Sequence, residues 1–425
     1  MQKSKYVLYF VLLVCASAQT ISAQNHTKSP YSRFGMGDVG TEAIGMQTGM
    51  GNIGVGFRYR NSPSISNPAS YSTQDTLSFI AHFGGFSRFT KSNSATDSNK
   101  DWTVNLNHLL FSYPLLNNRW YSVMGIMPYT SVGYNLVQYG EPDPELGTTV
   151  DRYNKGNGGL NRLLWGHSFM FGDLSLGVNV SWLFGTLSYE NITSFPFDVN
   201  AVSILRINDL KARGVHFNTG AQYTHKINEK NSIIGGFTYE FANKLNIRET
   251  SLISYNNSSG YMDTVSYIKN QKRTITLPSG FGIGAFYNND ERWFVGLDYS
   301  FRKWSDADLF FSNEDLSNVG KISVGAQYIP LGQRGIRSKY YQRVAYRAGA
   351  YLSESYFSLQ GEKPKQYGLT AGLGLPFRRD NSMLNIAYSL ESRGTDKKNL
   401  LREHIHIVSI NVSLYDFWFL KRKWD

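Results

Sequence analysis

From Thr76 onward the chain alternates between apolar and small or polar residues. Leu174, Leu176, Val178, Val180, Trp182 and Phe184 share one face of an extended segment, and Ser175, Gly177, Asn179 and Ser181 share the other. Val295–Phe301, Leu369–Leu375, Leu384–Leu390 and Val408–Leu414 repeat the pattern. Side chains of a strand point alternately to its two faces, so period two predicts β-strands with one greasy and one small, neutral face. About fourteen such segments follow one another, starting near Thr76, Asp101, Arg119, Gly159, Asp173, Ser203, Asn231, Met262, Arg292, Val319, Tyr340, Gln366, Ser382 and His404. No comparable helical stripe is present. The fold class is therefore all-β.

The connections have a rhythm of their own. Tight turns at Leu116-Asn117-Asn118, Gly172-Asp173, Asn228-Glu229-Lys230, Asn288-Asn289-Asp290, the Leu331–Gly335 bend and Arg379-Asp380-Asn381 fall at every second connection. The intervening stretches are mostly longer and polar: Lys91–Lys100, Gln138–Asn157, Asn256–Tyr261, Ser305–Asn318, Ser355–Lys365 and Thr395–Arg402. Short turns on one rim and long loops on the other are the pattern of a transmembrane antiparallel β-barrel, even-stranded, with both termini on the periplasmic side. A soluble β-sandwich also alternates. It has no need for that rhythm, nor for large aromatics along its apolar faces.

Composition agrees with a barrel. Only 41% of the 425 residues are hydrophobic, yet 15% are aromatic, and charged residues stop at 18%, below the roughly 25% of soluble domains. Half of each strand facing lipid and half facing a neutral interior accounts for both figures. Trp120-Tyr121 and Trp293-Phe294 follow short turns and Trp418-Phe419 ends the last strand, where aromatic rings sit at a membrane–water interface. Beyond the N-terminus no run supplies the roughly 20 apolar residues of a spanning helix.

Lys3 and Lys5 precede an apolar run from Tyr6 to about Ala18, then small residues to Ala23. This is a secretory signal peptide. Cuts after Ala18 and after Ala23 both fit, the second defining a signal of residues 1–23. The only cysteine, Cys15, lies inside it, and Val14 is a poor fit to the small residue that a lipoprotein site requires before its cysteine. The mature chain thus has no disulfide to close its fold in an oxidising compartment. The expected location is the outer membrane of a diderm bacterium. The formal net charge of +11 raises nucleic acid as a partner, but the cations are scattered and the chain is exported. Charges on loops and rims beside anionic lipid head groups are the expected reading.

Residues 24–75 differ from the rest. They are rich in Gly, Ser, Asn and Met, carry Gly49-Met50-Gly51, Gly54-Val55-Gly56 and Asn67-Pro68-Ala69, and show no sustained alternation. A long stretch without a core pattern has to pack inside or against something larger. The division expected is a signal at 1–23, an inner segment at 24–75 and a barrel at 76–425.

Thr276-Leu277-Pro278-Ser279-Gly280-Phe281-Gly282-Ile283-Gly284, followed by Trp293–Trp304, resembles the FadL family of outer-membrane transporters. The likeness continues through Ile322–Tyr328, Tyr346–Tyr351 and Gly372–Pro376, and Ser66-Asn67-Pro68-Ala69 is similar to the Asn-Pro-Ala segment of that family's N-terminal hatch. It is good over Thr276–Asp425 and at the hatch, while residues 90–270 match in architecture. The resemblance implies a fourteen-stranded barrel plugged by an N-terminal hatch, with Asn67, Pro68 and Ala69 as a hatch element. It also implies passive uptake of hydrophobic small molecules, long-chain fatty acids or aromatic hydrocarbons. The chain departs from the family at its end, where Phe417-Trp418-Phe419 runs on into the basic Leu420–Asp425. That tail is expected to anchor at periplasmic head groups, with a partner contact as the alternative.

The inward faces read Ser, Gly, Asn, Thr and Gln, with Asp298 an isolated acid and Leu183 and Phe286 apolar intrusions. An ion-selective pore would show charge rings there. A neutral, partly apolar lumen suits a plug or a hydrophobic ligand, and inward glycines leave room for another backbone to approach. Catalysis is not expected: the eight histidines form no Ser-His arrangement. His404 and His406 share a strand face, but no cysteine or carboxylate pattern completes a metal site. No cofactor is expected. Beside transport stands a second reading, a non-transporting barrel that serves as subunit or cargo-binding scaffold of an outer-membrane protein secretion or assembly complex. The long segments Ser203–Lys226, Asn231–Asn256 and Met262–Asn288 exceed the roughly 9–11 residues needed to cross and would stand above the membrane to meet a partner. The expected partners are lipid, hydrophobic small molecules and outer-membrane or periplasmic proteins.

Overall fold

The computed structural model describes residues 27–417 except 61, 95–96, 117–118, 144–147, 197–200, 257–261, 290–291, 311–314, 332–338, 378–380 and 396. The signal segment, Trp418, Phe419 and the basic tail lie outside the described residues. Fourteen antiparallel strands form the wall: β1 (Ser78–Asn93), β2 (Ser98–Leu116), β3 (Trp120–Asp143), β4 (Thr148–Phe171), β5 (Leu174–Ser194) and β6 (Ser203–Lys226) come first. Two interrupted strands follow, β7 (Asn231–Glu240 and Asn243–Asn256) and β8 (Met262–Leu277 and Gly280–Asn289). The rest are β9 (Trp293–Arg302), β10 (Val319–Tyr328), β11 (Ala345–Glu354), β12 (Lys365–Pro376), β13 (Met383–Gly394) and β14 (Arg402–Phe417). Each pairs with its neighbours in sequence, and β14 closes on β1 from Arg402↔Asn93 to Phe417↔Ser78. Closure leaves no edge to meet lipid, the condition under which a sheet can span a bilayer.

The faces sort as the alternation requires. Leu174, Leu176, Val180, Trp182 and Phe184 are exposed, whereas Ser175, Asn179 and Ser181 are buried. On β9, Val295 and Leu297 face out and Phe294 and Asp298 face in. Trp120 stacks near Phe169 (5.6 Å) and Trp293 near Tyr328 (4.3 Å), both beside short turns. The starting points expected from the sequence fall close to the observed ones, except at β4 and, by five residues, at β11, where Tyr340–Gln342 is a 3-10 turn. The stretch Gln138–Asn157, read as a polar loop, is largely strand, because β3 runs to Asp143 and β4 begins at Thr148. The loop expected at Lys91–Lys100 is likewise the tip of the β1–β2 hairpin. Above the lipid both faces of a hairpin can be polar, so pairing continues after the alternation stops, and period two alone misses it.

The interruptions in β7 and β8 are coupled. Glu240 and Asn243 flank a gap in β7 opposite Pro278 and Ser279 in β8. Proline offers no N–H to a ladder. The segments below the gap pair as Asn231–Glu240 with Gly280–Asn289, and those above it as Asn243–Asn256 with Met262–Leu277. β6 is long enough to serve both halves of β7.

Candidate functional site: the enclosed interior

The segment from Thr27 to Leu77 is buried for most of its length and touches strands around the whole wall. Short 3-10 turns occupy Pro30–Arg33, Gly45–Gly49 and Pro68–Thr73, and Asp38–Val39 pairs with Ser131 and Thr130 of β3. Small residues dominate because the space left by fourteen strands admits backbone more readily than side chains. Gly236 and Gly284 are paired across β7 and β8, and Gly296, Gly325 and Gly349 across β9, β10 and β11. A Cβ at Gly325 would overlap the Met50 carbonyl, and one at Gly349 would overlap the Gly51 amide. A belt of missing side chains thus seats residues 50–56.

Asn67, Pro68 and Ala69 sit at the same level. The Asn67 side-chain amide donates to the carbonyls of Val55 (2.7 Å), Ala221 (3.3 Å) and Phe237 (3.4 Å). Its oxygen accepts from the Ala69 amide (3.1 Å), capping the Pro68–Thr73 turn with Pro68 at its first position. The Ser168 hydroxyl of β4 donates to the Ala69 carbonyl at 3.0 Å. One asparagine therefore ties the inner segment to itself and to β6 and β7.

Asp298 is no solitary charge. Its carboxylate accepts from three successive amides, Gly54 (2.5 Å), Val55 (2.7 Å) and Gly56 (3.1 Å). Phe286 lies 5.3 Å from Phe57 and 5.6 Å from Phe294, in a cluster with Met50 and Ile53. Leu183 belongs to a different cluster toward the long strands, with Tyr31, Met36, Leu160, Leu210 and Trp304. All three residues are buried, but they occupy separate places and form no common site. His406 is engaged by the Tyr388 hydroxyl at 2.6 Å.

The interior is not neutral, which corrects the reading of the inward faces. Arg162 of β4 pairs with Glu42 at 2.7 Å, and Arg302 of β9 pairs with Glu240 at 2.7 Å, within 4.0 Å of Glu42. His216 adds a contact to Glu240 at 2.9 Å. Nearer the long strands, Arg393 bridges Asp38 and Glu403, each at 2.7 Å, while the Ser29 hydroxyl donates to Glu403 at 2.6 Å. Burial alone would raise the carboxyls of Asp38 and Glu42. The guanidiniums beside them, Arg393 and Arg88 for Asp38 and Arg162 and Arg302 for Glu42, prevail and hold both below the ordinary range. Arg393 and Glu403 are ten positions apart and opposed across the β13–β14 hairpin, whereas the other pairs join residues far apart in sequence. Only the inward parity of Arg162 with Leu160 and Leu164 was readable beforehand.

Among the described residues little apolar space remains. The cluster around Leu183 is filled by its own side chains, including Trp304 against Tyr356 at 4.3 Å. Two inner cavities measure about 130 and 150 Å3. The first is bordered by Glu42, Glu240, Asp298, Arg302 and Lys321, and the second by Asp38, Arg88, Asn107, Gln366 and Glu391. An apolar cavity of about 150 Å3 accepts benzene, whereas a polar one holds water. Larger depressions of about 560 and 480 Å3 lie in the wall, bordered by outward residues such as Phe237, Ile283 and Leu297, and Ile322, Val324 and Leu369.

The BamG family model matches residues 1–425. No curated protein matches. Among solved structures, the P. putida toluene transporter TodX is similar with a TM-score of 0.61 and 16% identity, covering 90% of this chain and 99% of that one. The Ralstonia pickettii toluene transporter TbuX gives 0.58 and 16% over 88% and 98% of the two chains. A Pseudomonas aeruginosa FadL homologue gives 0.56 and 14% over 91% and 100%. At such identities the likeness establishes the fold alone: a barrel of the FadL type, as the motifs from Thr276 onward led one to expect.

Proposed function

The chain belongs to the BamG family, and from that premise we propose that it is a sealed outer-membrane barrel that works through its outer surfaces, as a subunit or cargo-binding scaffold of a protein assembly or secretion complex. The observation that carries this reading is how the bore is filled. Residues 27–77 act as a fixed hatch, bonded through Asn67, Asp298 and the Arg393 bridge to β6, β7, β9, β13 and β14. The inner cavities beside it are small and edged with charge. A greasy solute entering there would strip water from buried ions without replacing it, an unfavourable exchange. The barrel is not assigned a catalytic role. Its short turns and both termini face the periplasm in this reading, and the extended β3–β8 sheet stands on the other side as a platform.

Passive uptake of hydrophobic compounds is the second reading. The shared fold with toluene transporters and the apolar depressions in the wall favour it. One preparation separates the two. Purified gently from its native membrane, a sealed scaffold brings a stoichiometric protein partner and shows no conductance in planar bilayers. Hydrophobic solute recovered from the lumen, together with solute flux into vesicles carrying the protein alone, would overturn the scaffold reading.

A further inference from the structure

On the outward face of the extended sheet, three cations stand side by side. Lys211 of β6 is directly opposite Arg248 of β7, and Arg248 is directly opposite Lys272 of β8. All three are exposed. Their neighbours fix the side of the wall on which they lie: Leu210 and Ala212, Leu245 and Ile247, and Ile275 are buried inward. Opposed residues carry their Cβ atoms about 4.5–5.5 Å apart, and like charges so placed repel. The row is widened by Arg213 and Lys244, which are exposed too. None of the five is ion-paired with an acid among the described residues. Asp209, two positions from Lys211, accepts from the Ser188 hydroxyl at 2.6 Å. Glu249 is taken by Arg273 at 2.6 Å. The sheet thus bears the cost of a repulsive row without an internal partner for it.

The height of the row points to what relieves it. Below it on β6, Val215, Phe217 and Tyr223 are exposed, and on β7 Ile233, Phe237, Tyr239 and Phe241. The stretch Val215–Tyr223 matches the roughly 9–11 residues a tilted strand needs to cross the hydrocarbon. Arg213 and Lys211 lie immediately above it on β6, as Lys244 and Arg248 lie above Phe241 on β7. The cations therefore sit where lipid tails end and head groups begin, at the rim opposite the short turns. Clustered Lys and Arg at that depth attract anionic lipid.

We propose that Lys211, Arg248 and Lys272 form a binding site for the phosphorylated sugar head group of lipopolysaccharide, the row spacing being suited to a ligand with more than one phosphate. The site fixes the barrel's height and rotation in the outer leaflet. It is independent of whether the bore is sealed.

The test compares full-length protein in neutral detergent with the variant K211Q/R248Q/K272Q and with R119Q/K226Q/K230Q, which removes three exposed cations at the opposite rim. Fluorescent lipopolysaccharide is titrated against each, with phosphatidylcholine vesicles as the uncharged probe. Wild type and the opposite-rim variant should bind alike, more weakly as salt rises. The row variant should bind on the order of a hundredfold more weakly, as the contributions of three near-surface cations compound. Heat-modifiable migration on gels verifies that all three proteins are closed barrels. The proposal is overturned if the row variant, shown to be folded, binds lipopolysaccharide like wild type, or if both variants lose equally. Loss of a copurifying acidic protein by the row variant, with lipopolysaccharide affinity intact, also overturns it, because the row would then be a protein contact.

Discussion

Toward the short turns, the interior is held by hydrogen bonds and close backbone approach: Asn67 and Asp298 grip residues 54–69, and glycines of β7 to β11 leave them room. Toward the long strands it is held by a continuous apolar cluster around Leu183 and Trp304, with ions sealed into the bridge at Arg393. The wall is the same in both halves. What differs is that toward the short turns wall and filling also meet as backbone, at the glycine belt, beside the side-chain cluster of Phe57, Phe286 and Phe294. Backbone meeting backbone leaves almost no tolerance for added atoms. A side-chain core loses stability by degrees as atoms are removed.

That contrast sets an order of expected effects. The largest belongs to the glycine belt. In Gly325→Leu the new side chain overlaps the Met50 carbonyl, so the hatch should be displaced while the wall still closes. Planar bilayer recordings should show steady conductance where wild type shows none, and a tight, wild-type-like Gly325→Leu barrel would break the contrast. Next comes Leu183→Ala, fully buried among aliphatic and aromatic side chains. A loss of about 2–5 kcal/mol is expected, read as a lower unfolding temperature in detergent with the bore still closed.

Asp298→Ala follows. Three buried amides would lose their acceptor, and a cost of about 1–3 kcal/mol is expected. Protease nicking within residues 50–60 should rise before the wall melts, and unchanged nicking would show that the carboxylate does not anchor the hatch. The smallest effect is acid dependence. Asp38 is held below its ordinary value, so its contribution is complete above about pH 3.9 and fades as pH falls through its lowered folded value. Unfolding temperature from pH 7 to 3 should drop more steeply for wild type than for Asp38→Asn, and parallel curves would remove this bridge from the account.

Much of the wall was legible beforehand. Alternation at Leu174–Phe184 or Val295–Phe301 is a local property, since each residue's face follows from its position along the strand. The tips of β1–β2 and β3–β4 were not legible, because there neither face needs to be apolar. Asp298 was singled out as an inward acid, but nothing near it in sequence names Gly54, Val55 and Gly56 as its donors. Arg162 with Glu42, and Arg393 with Asp38, were missed for the same reason: inward parity tells that a charge is enclosed and not what encloses it. The cation row was hidden likewise, since Lys211, Arg248 and Lys272 become neighbours through strand register alone.

The sequence by itself determined an exported, all-β chain with about fourteen crossings and an unpatterned leading segment, because periodicity and turn residues act over short range. Only the tertiary structure decided what the bore contains and which charges meet. Closing fourteen strands brings residues hundreds of positions apart into one enclosed volume, where an ion must find a partner or remain uncompensated away from water.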